Sequence, residues 1–313
     1  MKKRMMILAC CCFMMSSFTM VHAEEATEAQ TEAQTEEAPK SDFQKMMEDF
    51  MNSITGDYEY EETEVTCERD GKVMRGILAM PKMPEGEKPP VVILSHGFTS
   101  SKGEMTSLAK GYAVNGIASV RFDFLGSGES DGDSTDMSVR TEVEDLNAIL
   151  DYVKTLDEVD TDHIVLSGNS MGGLVTALTG AQREDDVDAL VLNYPAFSIP
   201  DDNRSGRVQD IEFDVNDVPE TITLRNYTIG ARYITDTLDM DPYEEACGFS
   251  KDVLIFHGDA DEIVNISYSE KAAELYPSAE LVVVEGGGHG FWGDPMLDEI
   301  NRSVEFVKAE TAE

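Results

Sequence analysis

The sequence predicts an α/β protein in which a mostly parallel central sheet carries helices on both faces. Three observations lead there. Short, continuous apolar runs recur at Val91–Leu94, Ala118–Phe122, Ile164–Leu166, Ala189–Leu192, Val253–Phe256 and Leu281–Val284, as expected of strands buried on both faces. Segments of helical spacing separate them, at Glu104–Asn115, Val139–Leu156, Gly172–Gln182 and Ser267–Leu275. Strand and helix in alternation make a parallel sheet covered by helices. The rhythm breaks between Tyr194 and Lys251, where no strand of the same type occurs. That interval marks an insertion over the carboxyl edge of the sheet.

Composition narrows the possibilities. With 313 residues the chain holds one large domain or two small ones, at roughly 100–200 residues each. Hydrophobic residues at 41% and charged residues at 27% are ordinary globular usage, which excludes a wholly disordered or fibrous protein. Asp and Glu outnumber Lys and Arg by 62 to 24, a formal net charge of −38. Such a surface repels phosphate backbones and anionic lipid headgroups, which argues against nucleic acid as a partner.

Residues 1–23 read as a secretory signal peptide. Lys2, Lys3 and Arg4 precede the apolar stretch Met5–Met20, and Val21-His22-Ala23 fits the small-x-small pattern before a cleavage site. A transmembrane anchor fits less well, because the stretch is short for a span and acidic sequence follows it. A lipoprotein signal ending at Cys10, Cys11 or Cys12 would leave an apolar stretch of only a few residues. The mature chain is therefore expected to be secreted or held at the cell surface without stable membrane insertion. Residues 24–57 form an acidic tether and a short helix. The Thr-Glu-Ala-Gln repeats cannot bury enough surface to offset their ordering entropy, whereas Phe43, Met46, Met47, Phe50 and Met51 recur at helical spacing.

The main domain spans residues 58–313, with the insertion at about 196–247. It opens with Tyr60–Cys67 and Lys72–Met80 on either side of Asp70-Gly71, a hairpin signal. Of the cysteines, only Cys67 and Cys247 lie beyond the signal. In an exported protein they could bridge, but their spacing does not require it, and they read as two buried thiols. There is no C-x-x-C and no His/Cys cluster of zinc spacing, so no metal is expected. Gly126-Ser127-Gly128 lies in a loop after Asp123 instead of opening a helix after a strand, so no cofactor is expected either.

The chemistry begins at Gly168-Asn169-Ser170-Met171-Gly172. This G-x-S-x-G follows the strand Ile164–Leu166 and precedes an apolar helix. A sharp turn there raises the serine hydroxyl above the sheet, and the glycines permit close backbone contact. Ser170 needs a base. His22 leaves with the signal, His163 opens the strand at its far end, and His96 and His257 stand before glycines in loop-forming places. His289, in Gly286-Gly287-Gly288-His289-Gly290-Phe291 after the last strand, comes downstream of every acid candidate, as the nucleophile–acid–base order demands. Those candidates are Asp259, Asp261 and Glu262 after the penultimate strand. Asp259 would sit in and cap the tight turn, which favours Asp261, two residues deeper in the loop.

These residues resemble the serine α/β-hydrolase family from about Tyr58 to the C-terminus. His96-Gly97-Phe98 is similar to that family's oxyanion loop, Arg121–Ser130 to its R-x-D-x-x-G-x-G-x-S loop, and His257–Val264 to its H-G-x-x-D-x-x-V acid loop, in which the aspartate aligns with Asp261. The resemblance implies an α/β-hydrolase fold with a lid inserted after the sixth strand. It implies an oxyanion hole made by the backbone N–H groups of Phe98 and Met171. Within the family the likeness is to bacterial cinnamoyl and feruloyl esterases, whose lid starts acidic and Gln-containing. Asp202, Gln209 and Tyr233 stand where such a lid would meet the polar end of the acyl group.

The expected activity is cleavage of a small carboxylic ester through an acyl-enzyme. A peptidase would use the same three residues but usually carries a large extra domain. A thioesterase would share them too, although export argues against acyl-CoA. A haloalkane dehalogenase would need aspartate at 170, and a non-catalytic binding protein of this fold commonly lacks one of the three.

Overall fold

The computed structural model describes residues 41–312; the segment expected to be a signal peptide and most of the expected tether lie outside them. Helix α1 (Asp42–Ser53) buries Phe50, whose ring lies 4.5 Å from that of Trp292. Strands β1 (Tyr60–Arg69) and β2 (Lys72–Pro81) pair antiparallel through a turn in which Asp70 and Gly71 both have positive φ, 54° and 76°. Two positive φ values in a two-residue loop match the right-handed twist of the strands it joins.

The sheet core follows in chain order. Strand β3 (Val91–Ser95) leads into the 3-10 turn Lys102–Met105 and helix α2 (Thr106–Ala113). Strand β4 (Ala118–Phe122) precedes α3 (Val139–Val153), whose start is fixed by a capping box between Ser138 and Thr141. Strand β5 (Ile164–Asn169) runs straight into α4 (Met171–Gln182), a helix buried around most of its circumference, and β6 (Ala189–Asn193) follows. Beyond the insertion come β11 (Val253–Gly258), α8 (Ser267–Leu275), β12 (Ala279–Val284) and α9 (Asp294–Glu310).

The eight strands lie in the order β1-β2-β4-β3-β5-β6-β11-β12, antiparallel at β1/β2 and β2/β4 and parallel from β4 to β12. Period-two alternation sorts the side chains between two layers. Val91 and Ile93 of β3 join one apolar cluster, while Val92 and Leu94 join the other. Both faces are therefore dry, as the continuous apolar runs require.

The insertion folds as short pieces: α5 (Ile199–Arg204), the hairpins β7 (Arg207–Val208) with β8 (Ile211–Glu212) and β9 (Thr221–Leu224) with β10 (Tyr227–Gly230), then α6 (Arg232–Thr235) and α7 (Pro242–Ala246). Pieces this short do not hold themselves together. They are anchored on the loop before α3 and on its first turn. Ser134 Oγ donates to Thr228 C=O at 2.6 Å, Ser138 Oγ donates to Asp236 at 2.7 Å, and Arg140 pairs with Glu245.

Cys67 and Cys247 are free and buried, and burial pushes both thiols up to about 12. They are inert apolar fillers. No helix among the described residues is long and apolar enough to cross a membrane.

Candidate active site

The carboxyl ends of β3, β5, β6 and β11 meet at one edge, the place where open parallel sheets bind ligands. Ser170 sits on the turn between β5 and α4 with φ 52° and ψ −118°. For a residue with a Cβ this conformation costs on the order of 1–3 kcal/mol and persists only when its surroundings over-determine it. They do. Ser170 N–H donates to Asn193 C=O at 2.9 Å, while Ser170 C=O accepts N–H groups from Gly173, Leu174 and Ala196 at 2.9–3.2 Å. The motif glycines have a steric reason. A Cβ at Gly172 would lie 2.4 Å from His96 O, and one at Gly168 would lie 2.3 Å from Gly172 O.

The structure brings Ser170, His289 and Asp261 together. His289 Nε2 is 2.8 Å from Ser170 Oγ, and His289 Nδ1 is 2.7 Å from Asp261 Oδ2. A carboxylate only accepts, so the imidazole proton stands on Nδ1 and the Nε2 lone pair faces the serine hydroxyl. Asp261 Oδ1 accepts the Ile263 and Val264 N–H groups at 2.8 and 2.9 Å. Burial pushes the Asp261 carboxyl up, but hydrogen bonds from His257 and His289 and the Val264 N–H outweigh it and hold the group well below the usual carboxylate range.

Asp259 and Glu262 are exposed, and Asp259 accepts the Gly286 N–H at 2.6 Å, tying the acid loop to the histidine loop. His257 is wholly buried. Its Nδ1 meets Ser269 Oγ at 2.7 Å, and its Nε2 meets Val264 O at 2.9 Å and Asp261 at 3.2 Å. His163 pairs with Asp188 at 2.9 Å, away from the site at the start of β5. His96 donates from Nδ1 to Gly97 C=O at 2.9 Å and accepts the Phe124 N–H on Nε2 at 3.2 Å, fastening the loop after β3 to the loop after β4.

That loop after β3 runs beside Ser170. A Cβ at Gly97 would lie 3.4 Å from Ser170 Cβ. Ser100 N–H donates to Gly97 C=O at 3.2 Å, closing a turn in which Thr99 has φ 60°. The N–H groups of Phe98 and Met171 donate to no neighbour among the described residues; Met171 opens α4, where first-turn N–H groups lack intrahelical acceptors. Asp123, fully buried, anchors the other end of the loop. It accepts Lys102 N–H and Nζ, both at 2.6 Å, and Glu129 N–H at 2.8 Å. A Cβ at Gly128 would meet that carboxylate at 2.2 Å, so the R-x-D-x-x-G-x-G-x-S pattern is the cradle of a buried carboxylate.

Of the three lid residues, the structure brings two toward this region. Tyr233 is buried and stacks on Phe98 with ring centroids 4.9 Å apart, and Tyr227 meets Phe98 edge-on at 5.9 Å. Burial pushes the Tyr233 hydroxyl up, and the charges of Glu142 and Asp202 push the same way. Asp202 is half-buried and paired with Arg207; with Ser198, Asp261 and Tyr268 it lines a cleft of about 290 Å³. Gln209 is the correction. It occupies the turn between β7 and β8 with φ 54° and an exposed side chain. The expected inward-facing glutamine is absent because a two-residue hairpin turn aims that position at solvent.

Three nearby residues escape sequence reasoning. Tyr194 packs edge-on against His289 at 4.9 Å and Phe291 at 5.4 Å; its one signal is its place at the carboxyl end of β6. Glu104 and Asn193 are joined to the Ser170 turn through contacts distant in sequence. Among the described residues no group of three His, Cys, Asp or Glu is arranged to hold a metal ion.

Comparison with known proteins fits this geometry. A family profile described as serine aminopeptidase, S33 matches residues 86–223. An uncharacterized 31.7 kDa protein of the Escherichia coli traX-finO intergenic region is 28% identical over 145 residues, 46% of this chain and 50% of that protein. The chain thus spans about half the length of the curated relative it matches. The monoacylglycerol lipase of Mycolicibacterium smegmatis is 26% identical over 216 residues, 65% of this chain and 71% of the lipase. Est1E from Butyrivibrio proteoclasticus, solved with ferulic acid bound, superposes with a TM-score of 0.74 at 28% identity, covering 80% of this chain and 100% of Est1E. That likeness runs the whole length of Est1E, and the eight-stranded, mostly parallel sheet flanked by helices has the α/β-hydrolase fold.

Proposed function

We propose that the protein is an exported serine carboxylesterase working through an acyl-enzyme. Ser170 is the nucleophile, His289 the general base and Asp261 the acid that orients it. The observation that carries this reading is the unbroken hydrogen-bonded chain Ser170–His289–Asp261, at 2.8 and 2.7 Å. His289 Nε2 takes the hydroxyl proton as Ser170 Oγ attacks the ester carbonyl, then returns it to the departing alcohol; water repeats both steps to release the acid. Asp261 stabilises the imidazolium that forms in between. The Phe98 and Met171 N–H groups receive the negative charge that develops on the carbonyl oxygen, with ~3–4 kcal/mol at stake for a single donor. No step calls for a metal or cofactor.

The substrate class we propose is an ester of a hydroxylated aromatic acid. The whole-length likeness to Est1E in its ferulic acid complex supports it, as does the aromatic group Phe98, Tyr227 and Tyr233 beside the nucleophile. Tyr233 and Asp202 are the lid residues that would meet the polar end of the acyl group. Export rests on residues 1–23, the signal-like segment of the sequence. The serine aminopeptidase description of the matching family favours a second reading, attack on the amide of an aminoacyl group by the same serine.

Turnover of p-nitrophenyl acetate, methyl ferulate, methyl p-coumarate and an aminoacyl p-nitroanilide, on wild type and Ser170→Ala, tests both. The ester reading expects the hydroxycinnamates to lead, and expects Ser170→Ala to lose at least about 10³-fold. An anilide that outruns every ester favours the peptidase. Undiminished ester turnover by Ser170→Ala would refute the serine mechanism altogether.

A further inference from the structure

Three loops far apart in sequence meet beneath the nucleophile in one hydrogen-bonded line. Glu104, half-buried in the 3-10 turn Lys102–Met105, accepts the Gly97 N–H on Oε2 at 2.9 Å and the Asn169 side-chain NH₂ on Oε1 at 3.0 Å. Asn169 Oδ1 in turn accepts from Asn193 Nδ2 at 2.9 Å, and both asparagines are buried. Gly97 immediately precedes Phe98, Asn169 immediately precedes Ser170, and Asn193 C=O already holds the Ser170 N–H. One carboxylate therefore bridges the two backbone stretches that carry the proposed oxyanion donors and the nucleophile.

We infer that Glu104 is a positioning residue that sets the distance between those donors and Ser170, an assignment that rests on the serine mechanism proposed above. The chemistry of the line explains why a carboxylate stands there. Gly97 can only donate, since its partner atom is a peptide N–H. Glu104 can only accept, so Asn169 must turn its NH₂ toward Glu104 and its carbonyl toward Asn193. The direction of every bond is fixed from one end. An amide at position 104 satisfies Gly97 but then sets its own NH₂ against that of Asn169. The loop itself stays anchored when the bridge is lost, because Lys102 remains held by Asp123 through two bonds of 2.6 Å. Loss of Glu104 thus shifts the donors without releasing the loop.

That directionality supplies the test. Glu104→Gln opposes two NH₂ groups, and Asn169→Asp opposes two carboxylates. In the double variant the introduced amide donates to the introduced carboxylate, which still accepts from Asn193, so the line is restored with reversed polarity at its centre. With p-nitrophenyl acetate as substrate, each single change is expected to lower kcat by ~10–100-fold, the scale of a misplaced or missing oxyanion donor, while KM stays within about threefold, since the lost interaction belongs to the transition state. The double variant is expected to recover kcat to within about fivefold of wild type, a coupling that independent sites do not show.

Single variants with wild-type kcat would overturn the assignment. So would a double variant as poor as the product of the singles, which would make the contact one of packing. A lowered thermal midpoint with unchanged kcat per folded molecule, or failure of all three to fold, would reduce Glu104 to a structural staple. The serine mechanism fails separately, if Ser170→Ala still turns over the ester.

Discussion

Glu299 gives a stability prediction that can be worked through. It lies on α9 at 3% exposure, and burial first, then the charge of Glu104, push its carboxyl from 4.5 up to about 8. Between those values the folded protein keeps a proton that the unfolded chain has released. Stability contributed by this group therefore falls as pH rises through the window, and the full loss is reached above about 8. At 1.36 kcal/mol per factor of ten, the cost is about 1 kcal/mol at pH 5 and about 4 kcal/mol at pH 8. Glu299→Gln keeps the shape of the protonated acid and cannot ionise. The variant should gain about 3 kcal/mol more over wild type at pH 8 than at pH 5. At roughly 2–4 °C per kcal/mol for a domain of this size, the gap in thermal midpoint between variant and wild type widens by the order of 10 °C. Thermal melts of both proteins at the two pH values measure it directly. A gap that is the same at pH 5 and pH 8 would show that Glu299 is not held protonated by its surroundings.

Three further outcomes are expected. Asp261→Asn should lower ester turnover by ~10³–10⁴-fold because the imidazole loses the acceptor that fixes its tautomer, whereas Asp259→Asn, which touches only the Gly286 N–H, should change it by no more than a few-fold; the reverse order would reassign the acid. Tyr233→Phe keeps the stack on Phe98 and should cut turnover of methyl p-coumarate far more than of p-nitrophenyl acetate, because the phenol of the bound acyl group then loses its partner in the site; equal losses on both would remove Tyr233 from acyl recognition. A chain beginning at Ser41 should keep wild-type specific activity and thermal midpoint, while one beginning at Tyr58 loses the burial of Phe50 against Trp292 and should melt lower; a large drop for the first would show that the acidic repeat packs on the domain.

Much of the framework is legible in the sequence because its signals are local. Ala118–Phe122 and Ser267–Leu275 have the same bounds in sequence and structure, since an uninterrupted apolar run and an amphipathic stretch each declare their period. Ser170 is legible because two glycines and a strand announce a turn that only close backbone approach explains. Other features carry weaker marks. The face that seats α9 mixes Ile300, Val304 and Val307 with buried Glu299 and Ser303, which blurs its apolar period. The insertion cannot be read because its pieces are held by Ser134, Ser138 and Arg140, outside it. Glu104 and Tyr194 are silent for the same reason. Glu104 meets Asn169 across 65 positions of chain, and no window along a sequence spans that contact.

The insertion is joined to the Ser170 turn at its very first residues. Ala196 N–H donates to Ser170 C=O at 2.9 Å, and Tyr194, which opens that passage, holds φ 40° while its N–H donates to Phe256 C=O at 2.6 Å. The entrance to the insertion is thus bolted to the reactive turn, whereas the hairpins beyond it are seated by buried Val208, Ile222, Leu224 and Ile229 and by the ring of Tyr227 on Phe98. The insertion therefore reaches the reactive turn at two joints, Ala196 on the Ser170 carbonyl and Tyr233 stacked on Phe98. A change anywhere between Tyr227 and Tyr233 is felt beside the serine through the ring of Phe98, as a push on one end of a lever is felt at the other.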